Sequence, residues 1–372
     1  IVFGDWSSDV CSSDLNRVIR LLIKLWFLIF FQRMREGVLI ISLDFELHWG
    51  VFRTVSDDSP YMKNIHNTPL VIQKILQVFR ERKISATWAV VGLLFAESRA
   101  MIEKFSPATK PVYKNVEHNP YLLHTGTSEI DDPVHFASSL IKRIQLVPEQ
   151  EIATHTFSHF LNREDGATKN AFQSDLESAI KIAKEYGIRI RSIVFPKNRL
   201  IKEFIDVLPP MGINVFRGAE KGWMYNTICS IYDKKPIKIR ALLGKIGRWV
   251  DTYLPITGSN TWGMDELWTE PGQAVNIPAS RFLRPYNPTL KYLEWAKCRR
   301  IRSQIEYAAR RGRMVHLRWH PHNFGTNLGQ NIILLTRILD CYEKCRLKYN
   351  MKSMTMSTFA DSIVKPSFDG SL

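Results

Sequence analysis

VLIISLDFELHWG, residues 38–50, decides the fold class. Val38–Leu43 is a continuous apolar, β-branched run, the pattern of a strand buried on both faces. It breaks into Asp44-Phe45-Glu46-Leu47-His48-Trp49-Gly50. Two carboxylates two residues apart point the same way while extended geometry lasts. Acidic groups straight after a buried run are costly unless hydrogen-bonded or metal-bound. The plain alternative is an Asp capping a turn. His48 and Trp49 make the cluster dense enough to favour a catalytic strand end.

Outward from this stretch, strands and helices alternate. Thr68–Lys83 reads as an amphipathic helix with Leu70, Ile72, Ile75, Leu76 and Phe79 on one side, and Ser85–Val91 as a second buried strand. A short helix around Leu93–Lys104 and a long irregular loop at 105–134 follow, then a helix at His135–Gln145. A third strand runs into the 151–160 stretch, and Phe172–Tyr186 is a helix stopped by Gly187. Ile188–Phe195 and Gly212–Phe216 read as strands four and five, with a helix at Leu200–Leu208 between them. Residues 219–287 lose the rhythm and read as an insertion that builds substrate walls. Pro288–Arg311 is a helix, Arg313–Trp319 a sixth strand, Ile332–Tyr349 a helix and Ser353–Ser357 a last strand. Such alternation predicts parallel βα units. Polar residues gather just past the ends of strands one, three, four and six, where barrel-type α/β enzymes place their chemistry.

A second cluster is EIATHTFSHF, residues 151–160. His155 and His159 are spaced i, i+4, which on a helical turn sets both imidazoles on one face. Two neutral imidazoles suit zinc or a related transition metal, provided a third ligand arrives from elsewhere. Alone, HxxxH reads more readily as two unrelated polar histidines; a carboxylate from another strand end changes that.

With 45% hydrophobic residues in 372, the chain can bury a large core, and no repeat or biased composition places it outside the globular class. The net charge of +15 favours an acidic partner: a polyanionic glycan, phospholipid headgroups or, ranked last, nucleic acid. The five cysteines (Cys11, Cys229, Cys298, Cys341, Cys345) are odd in number and lack paired metal spacing, which fits reduced thiols in a cytoplasmic protein. The helix at 288–311 carries Lys291, Lys297, Arg299, Arg300, Arg302, Arg310 and Arg311 on what reads as its outer side. That is first a solvated face, and second a contact for an anionic membrane or glycan at the inner face of the membrane. Residues 1–15 resemble an adapter-derived translation, and Leu25–Phe31 is too short an apolar run to span a bilayer. We expect 1–33 to be a non-native or disordered leader and 34–372 a single catalytic domain.

SLDFELHWG, HTFSH, RSIVFPKNR and HLRWHPHNFG, in that order, resemble the motifs of the NodB-homology polysaccharide deacetylases, carbohydrate esterase family four. The resemblance spans roughly residues 37–360, with 219–287 loosely matched. It implies an α/β fold, an irregular (β/α)7 barrel, and one divalent metal, zinc first with cobalt or manganese behind it. The implied reaction is hydrolysis of N- or O-acetyl groups on a saccharide. Carried over, Asp44 is the general base and Glu46 the metal carboxylate, a spaced pair where the family usually has adjacent aspartates, so the two roles are open to exchange. His155 and His159 are the metal histidines. Pro196 belongs to the groove wall, and the arginine that orients the base is Arg191 or Arg199. His320 or His322 is the catalytic acid, with His320 preferred because it directly follows the strand and precedes Pro321. Trp49 and Asn323 complete the expected substrate contacts.

Two other readings stand beside this one. A related barrel amidohydrolase or glycoside hydrolase would use a similar scaffold, the latter with two carboxylates flanking the bond and no metal histidines. A catalytically impaired glycan-binding homologue would keep the groove without the reaction.

Overall fold

The computed structural model describes residues 36–222, 224–225, 238–267, 269 and 272–363; the expected leader at 1–33 lies outside the described residues. Among the described residues nine parallel strands curl into an open barrel: β1 (Val38–Phe45), β2 (Ala86–Val90), β3 (Gln150–Thr154), β4 (Ser192–Ile193), β5 (Val215–Phe216), β6 (Val275–Asn276), β7 (Arg281–Phe282), β8 (Met314–Trp319) and β9 (Lys352–Met354). Their order is β6-β5-β4-β3-β2-β1-β8-β7, with β9 pairing the first residues of β1. The main helices are α1 (Leu47–Val51), α2 (Thr68–Arg82), α3 (Ser138–Gln145), α4 (Lys169–Glu185), α5 (Lys238–Val250), α6 (Glu294–Arg311), α7 (Leu328–Tyr349) and α8 (Met356–Ile363). Among the described residues no helix is long and apolar enough to cross a membrane.

Period-two geometry sorts the strand residues into two populations. Leu39, Ile41, Leu43 and Phe45 of β1 face outward into a core that continues through Trp88, Ile152 and Ile193. On that layer α2 buries Val71, Ile72, Ile75, Leu76 and Phe79; each such side chain contributes about 1.5–3 kcal/mol. The opposite parity fills the barrel: Val38, Ile40, Ala89, Ala153, Val194, Val215 and Met314 form a second apolar cluster. Continuing the inward parity past each strand end brings Asp44 on β1, His155 after β3, Arg217 after β5 and His320 after β8 to one mouth. This shared parity positions the site.

Three expectations need correction here. The stretch 219–287, read as an insertion, supplies the sheet strands β6 and β7, which pair β5 and β8. Two-residue strands carry no periodic signal. The last strand stops at Met354, and Met356–Ile363 is helical, with the Ser357 amide donating to Glu151 at the bottom of the barrel. On α6, Lys297 and Arg300 point inward, not out. Lys297 Nζ donates to the carbonyls of Arg284 and Pro285 and pairs with Glu294 at 2.6 Å, while Arg300 Nη2 lies 2.7 Å from the buried Asp251 carboxylate. Lys291, Arg299, Arg302, Arg310 and Arg311 are exposed.

Candidate metal and acid–base site

Glu46, His155 and His159 converge at the mouth, and all three are buried. Glu46 Oε2 lies 3.2 Å from Nε2 of each histidine. The HTFSH segment achieves this as a tight turn rather than the helical turn that the spacing suggested: Thr156 and His159 both adopt left-handed φ, 65° and 55°. Each such residue costs about 1–2 kcal/mol, so other contacts must hold the turn. Asp175 of α4 supplies them, accepting from the Phe157 amide at 2.6 Å, the Ser158 amide at 3.1 Å and the Ser158 hydroxyl. Burial pushes the Asp175 carboxyl up to about 7 against the pull of those three donors. Thr156 Oγ1 accepts from the Phe160 amide at 2.7 Å and closes the turn.

These residues fit a divalent cation, and the hydrogen bonding of His155 carries the point. Its Nδ1 lies 2.7 Å from the Val194 carbonyl, which only accepts, so Nδ1 bears the proton. Nε2 is left to face the Glu46 carboxylate oxygen, which His159 Nε2 faces as well, so one cation could be shared by all three. Burial also holds His159 down to about 4, favouring the neutral ring that ligates. Burial pushes the Glu46 carboxyl up, but His320, His155 and His159 outweigh it and keep the group well below the usual carboxylate range. The set of one carboxylate and two imidazoles is that of catalytic zinc sites, which keep one position open.

Asp44 sits beside this cluster under a buried guanidinium. Arg217 Nη1 donates to Asp44 Oδ1 at 2.5 Å and Nη2 to Oδ2 at 2.8 Å. The same guanidinium donates to Ser42 Oγ and, through Nε and Nη2, to Asn198 Oδ1. Burial would raise the Asp44 pKa, but the Arg217 fork prevails and holds it far below the usual range. The arginine that forks onto Asp44 is Arg217, and neither expected candidate reaches that carboxylate. Arg191 precedes β4, at the opposite end of the strand from the mouth, and pairs with Asp361. Arg199 pairs with Glu164 at 3.1 Å. Pro196 lies buried at the start of the turn that aims Asn198 at Arg217.

His320 Nε2 stands 3.6 Å from Asp44 Oδ2 and 3.5 Å from Glu46 Oε1. Its ring is held from behind. Tyr61 donates its hydroxyl to Asn323 Oδ1 at 2.6 Å, and the Asn323 amide nitrogen lies 3.3 Å from His320 Nδ1. Nε2 is thereby turned to face the carboxylates. Asn323 acts on His320 rather than lining the groove. His322 is buried, 5.2 Å between ring centroids from His320, and burial followed by the His320 charge holds it near 3. Trp49 is buried too: its indole donates to the His135 carbonyl at 2.9 Å, which makes it a packing residue and not a substrate contact.

Arg217, Asn198, Asp175 and Tyr61 were missed from the sequence. Arg217 left one signal, its position directly after the fifth strand on the inward parity. The others act across separations of 17 to 262 residues, for which a single sequence gives no sign.

No family model matches the chain, and no curated protein matches it. Among solved structures it is similar to a putative polysaccharide deacetylase from Mycobacterium smegmatis, with a TM-score of 0.54, 14% identity and coverage of 89% of this chain and 93% of that one. Weaker likenesses include a 4-α-glucanotransferase from Thermococcus litoralis (TM-score 0.47, 10% identity, 88% and 40% coverage) and a family 4 carbohydrate esterase from Streptomyces lividans (TM-score 0.37, 10% identity, 83% and 88% coverage). At such identities the likeness is one of fold: the chain is built on the α/β half-barrel of parallel strands seen in that polysaccharide deacetylase.

Proposed function

We propose that the protein is a metal-dependent hydrolase that removes N- or O-acetyl groups from a saccharide. The observation that carries this reading is the buried Glu46–His155–His159 group set against the Asp44–Arg217 pair, with His320 facing both carboxylates. Glu46, His155 and His159 would hold the ion, zinc by the donor set. A bound divalent cation supplies the polarised carbonyl and a water whose pKa falls towards about 7. Asp44, a weak base under Arg217, would accept the proton of the attacking water. Its Oδ2, nearer His320, is the atom that takes the proton. His320, as the imidazolium, would give its Nε2 proton to the departing nitrogen or oxygen and be left neutral, since an amide anion does not leave unprotonated. Asn323, held by the Tyr61 hydroxyl, keeps the ring oriented with Nε2 towards the reacting centre.

The glycoside hydrolase alternative loses support because Glu46 is already engaged by two imidazoles. The exposed cations of α6 and the excess of positive charge support a peripheral contact with an anionic membrane or glycan from the cytoplasmic side. The test is acetate release from a panel of acetylated glycans by zinc-loaded protein. Acetate from at least one member, lost in His155→Ala/His159→Ala together with the bound metal, is expected. Full activity in the metal-free double variant refutes the reading.

A further inference from the structure

A pocket of about 270 Å³ opens beside Asp44 and His320, and its lining is strongly cationic. Lys197, Arg217, Arg248, Arg281, Arg284 and Arg318 line it against two carboxylates, Asp44 and Glu220. Arg217 is matched by Asp44, and Arg318 by Glu220 at 2.7 Å. Arg281, Arg284 and Lys197 are not balanced in this way by carboxylates of their own among the described residues. Arg281 is buried and shares the single Asp251 carboxylate with Arg300, at 3.2 and 2.7 Å, and its Nη2 is a buried donor with no hydrogen-bond partner among the described residues. Arg284 donates through Nε to Thr252 Oγ1 and has no carboxylate partner among the described residues. Partial burial lowers its pKa, with Arg248 and Arg318 adding to the crowding of like charge. Lys197, held at a left-handed φ of 57°, likewise has no ion pair among the described residues.

Guanidinium groups that are buried or half-buried around a concave site without enough carboxylates are unfavourable without an anion. A neutral saccharide offers hydroxyl groups, which would leave this charge in place. A phosphate presents several terminal oxygens that can accept from more than one fork together, whereas a carboxylate presents two. We propose that this pocket binds a phosphate group of the substrate, so that the protein acts on an acylated saccharide that carries a phosphate and not on a neutral polymer. The placement of that phosphate on the reacting saccharide rests on the deacetylase reading; the affinity of the pocket for a phosphate does not.

The test is calorimetric binding to zinc-loaded full chain, with N-acetylglucosamine, N-acetylglucosamine 1-phosphate, glucuronate, UDP-N-acetylglucosamine and a polyprenyl phosphate in detergent as probes. The sugar phosphate should bind at least about tenfold more tightly than the neutral sugar, with affinity falling as salt rises. Arg284→Gln should weaken the phosphate probes by about tenfold and leave the neutral sugar unchanged. Lys197→Gln, at a surface position, should act in the same direction if Arg284→Gln fails to fold. Tighter binding of the nucleotide sugar or of the polyprenyl phosphate supports the proposal and identifies the carrier. Equal binding of charged and neutral sugars, indifference to both substitutions, or preference for glucuronate over the sugar phosphate overturns it. Hydrolysis of 4-nitrophenyl acetate by the same wild-type preparation reports on the reacting centre separately, so loss of one reading is distinguishable from loss of the other.

Discussion

Replacing Arg217 by Met removes the guanidinium that forks onto Asp44 and also contacts Ser42 and Asn198. Arg217 and the Asp44 side chain are 1% and 5% exposed, so water cannot replace the lost partner. Removing one member of a buried ion pair costs about 3–5 kcal/mol, because the other is left as an unpaired buried charge. At about 2 °C per kcal/mol for a large domain, the melting temperature should drop by roughly 6–10 °C. Asp44→Asn leaves the opposite charge stranded and should destabilise by a comparable amount. The double variant buries neither charge, so its loss should fall well short of the sum, giving a coupling of about 3 kcal/mol, the top of the range for contacting residues. Arg217→Lys keeps the charge without the planar fork and should lie between wild type and Arg217→Met. Urea unfolding in EDTA keeps cation binding out of the comparison. Additive losses, within about 0.5 kcal/mol, would refute the claim that these two residues stabilise the site as a pair.

Other outcomes follow from the same geometry. Zinc at a thousandfold excess over its dissociation constant should stabilise the protein by about 4 kcal/mol, read as a rise in melting temperature; the same melt with and without EDTA would deny a site at Glu46, His155 and His159. Asp175→Asn points an amide N–H towards the donors of Phe157 and Ser158. It should weaken zinc binding about 10–100-fold in a competition titration, and an unchanged affinity would free the turn from dependence on α4. His320→Ala should lower kcat by about 10²–10⁴ with metal content intact, while His322→Ala acts mainly on stability; the reverse pattern assigns the acid to His322.

The sequence made half of the site readable because two strands announce themselves. Asp44 and Glu46 follow a long apolar run, so their common direction was legible before any tertiary contact was known. His155 and His159 were legible as a pair, but their turn was not helical, since nothing local reveals that Asp175 holds two left-handed residues in place. The choice among Arg191, Arg199 and Arg217 was not legible. All three lie close to short strands, and only strand end and parity, fixed by pairing with neighbours, decide which reaches Asp44 across 173 residues. The strands β6 and β7 failed for a related reason: two residues inside a Gly-, Asn- and Pro-bearing stretch hold no period to read.

The uneven strand lengths divide the barrel into a stiff side and a compliant one. β1, β2, β3 and β8 run for five to eight residues and carry Asp44, Glu46, His155 and His320 at or just past their ends. β4, β5, β6 and β7 have two residues each, and they and the segments after them furnish Lys197, Arg217, Arg281 and Arg284. Ladders this short open at little free-energy cost. Amide protons on the first side should therefore exchange by near-global unfolding, and those on the second by local excursions. A lineage could then remodel which molecule the mouth accepts by drift at Lys197, Arg281 and Arg284, while Arg217 alone on that side stays tied to the long ladders through its fork onto Asp44.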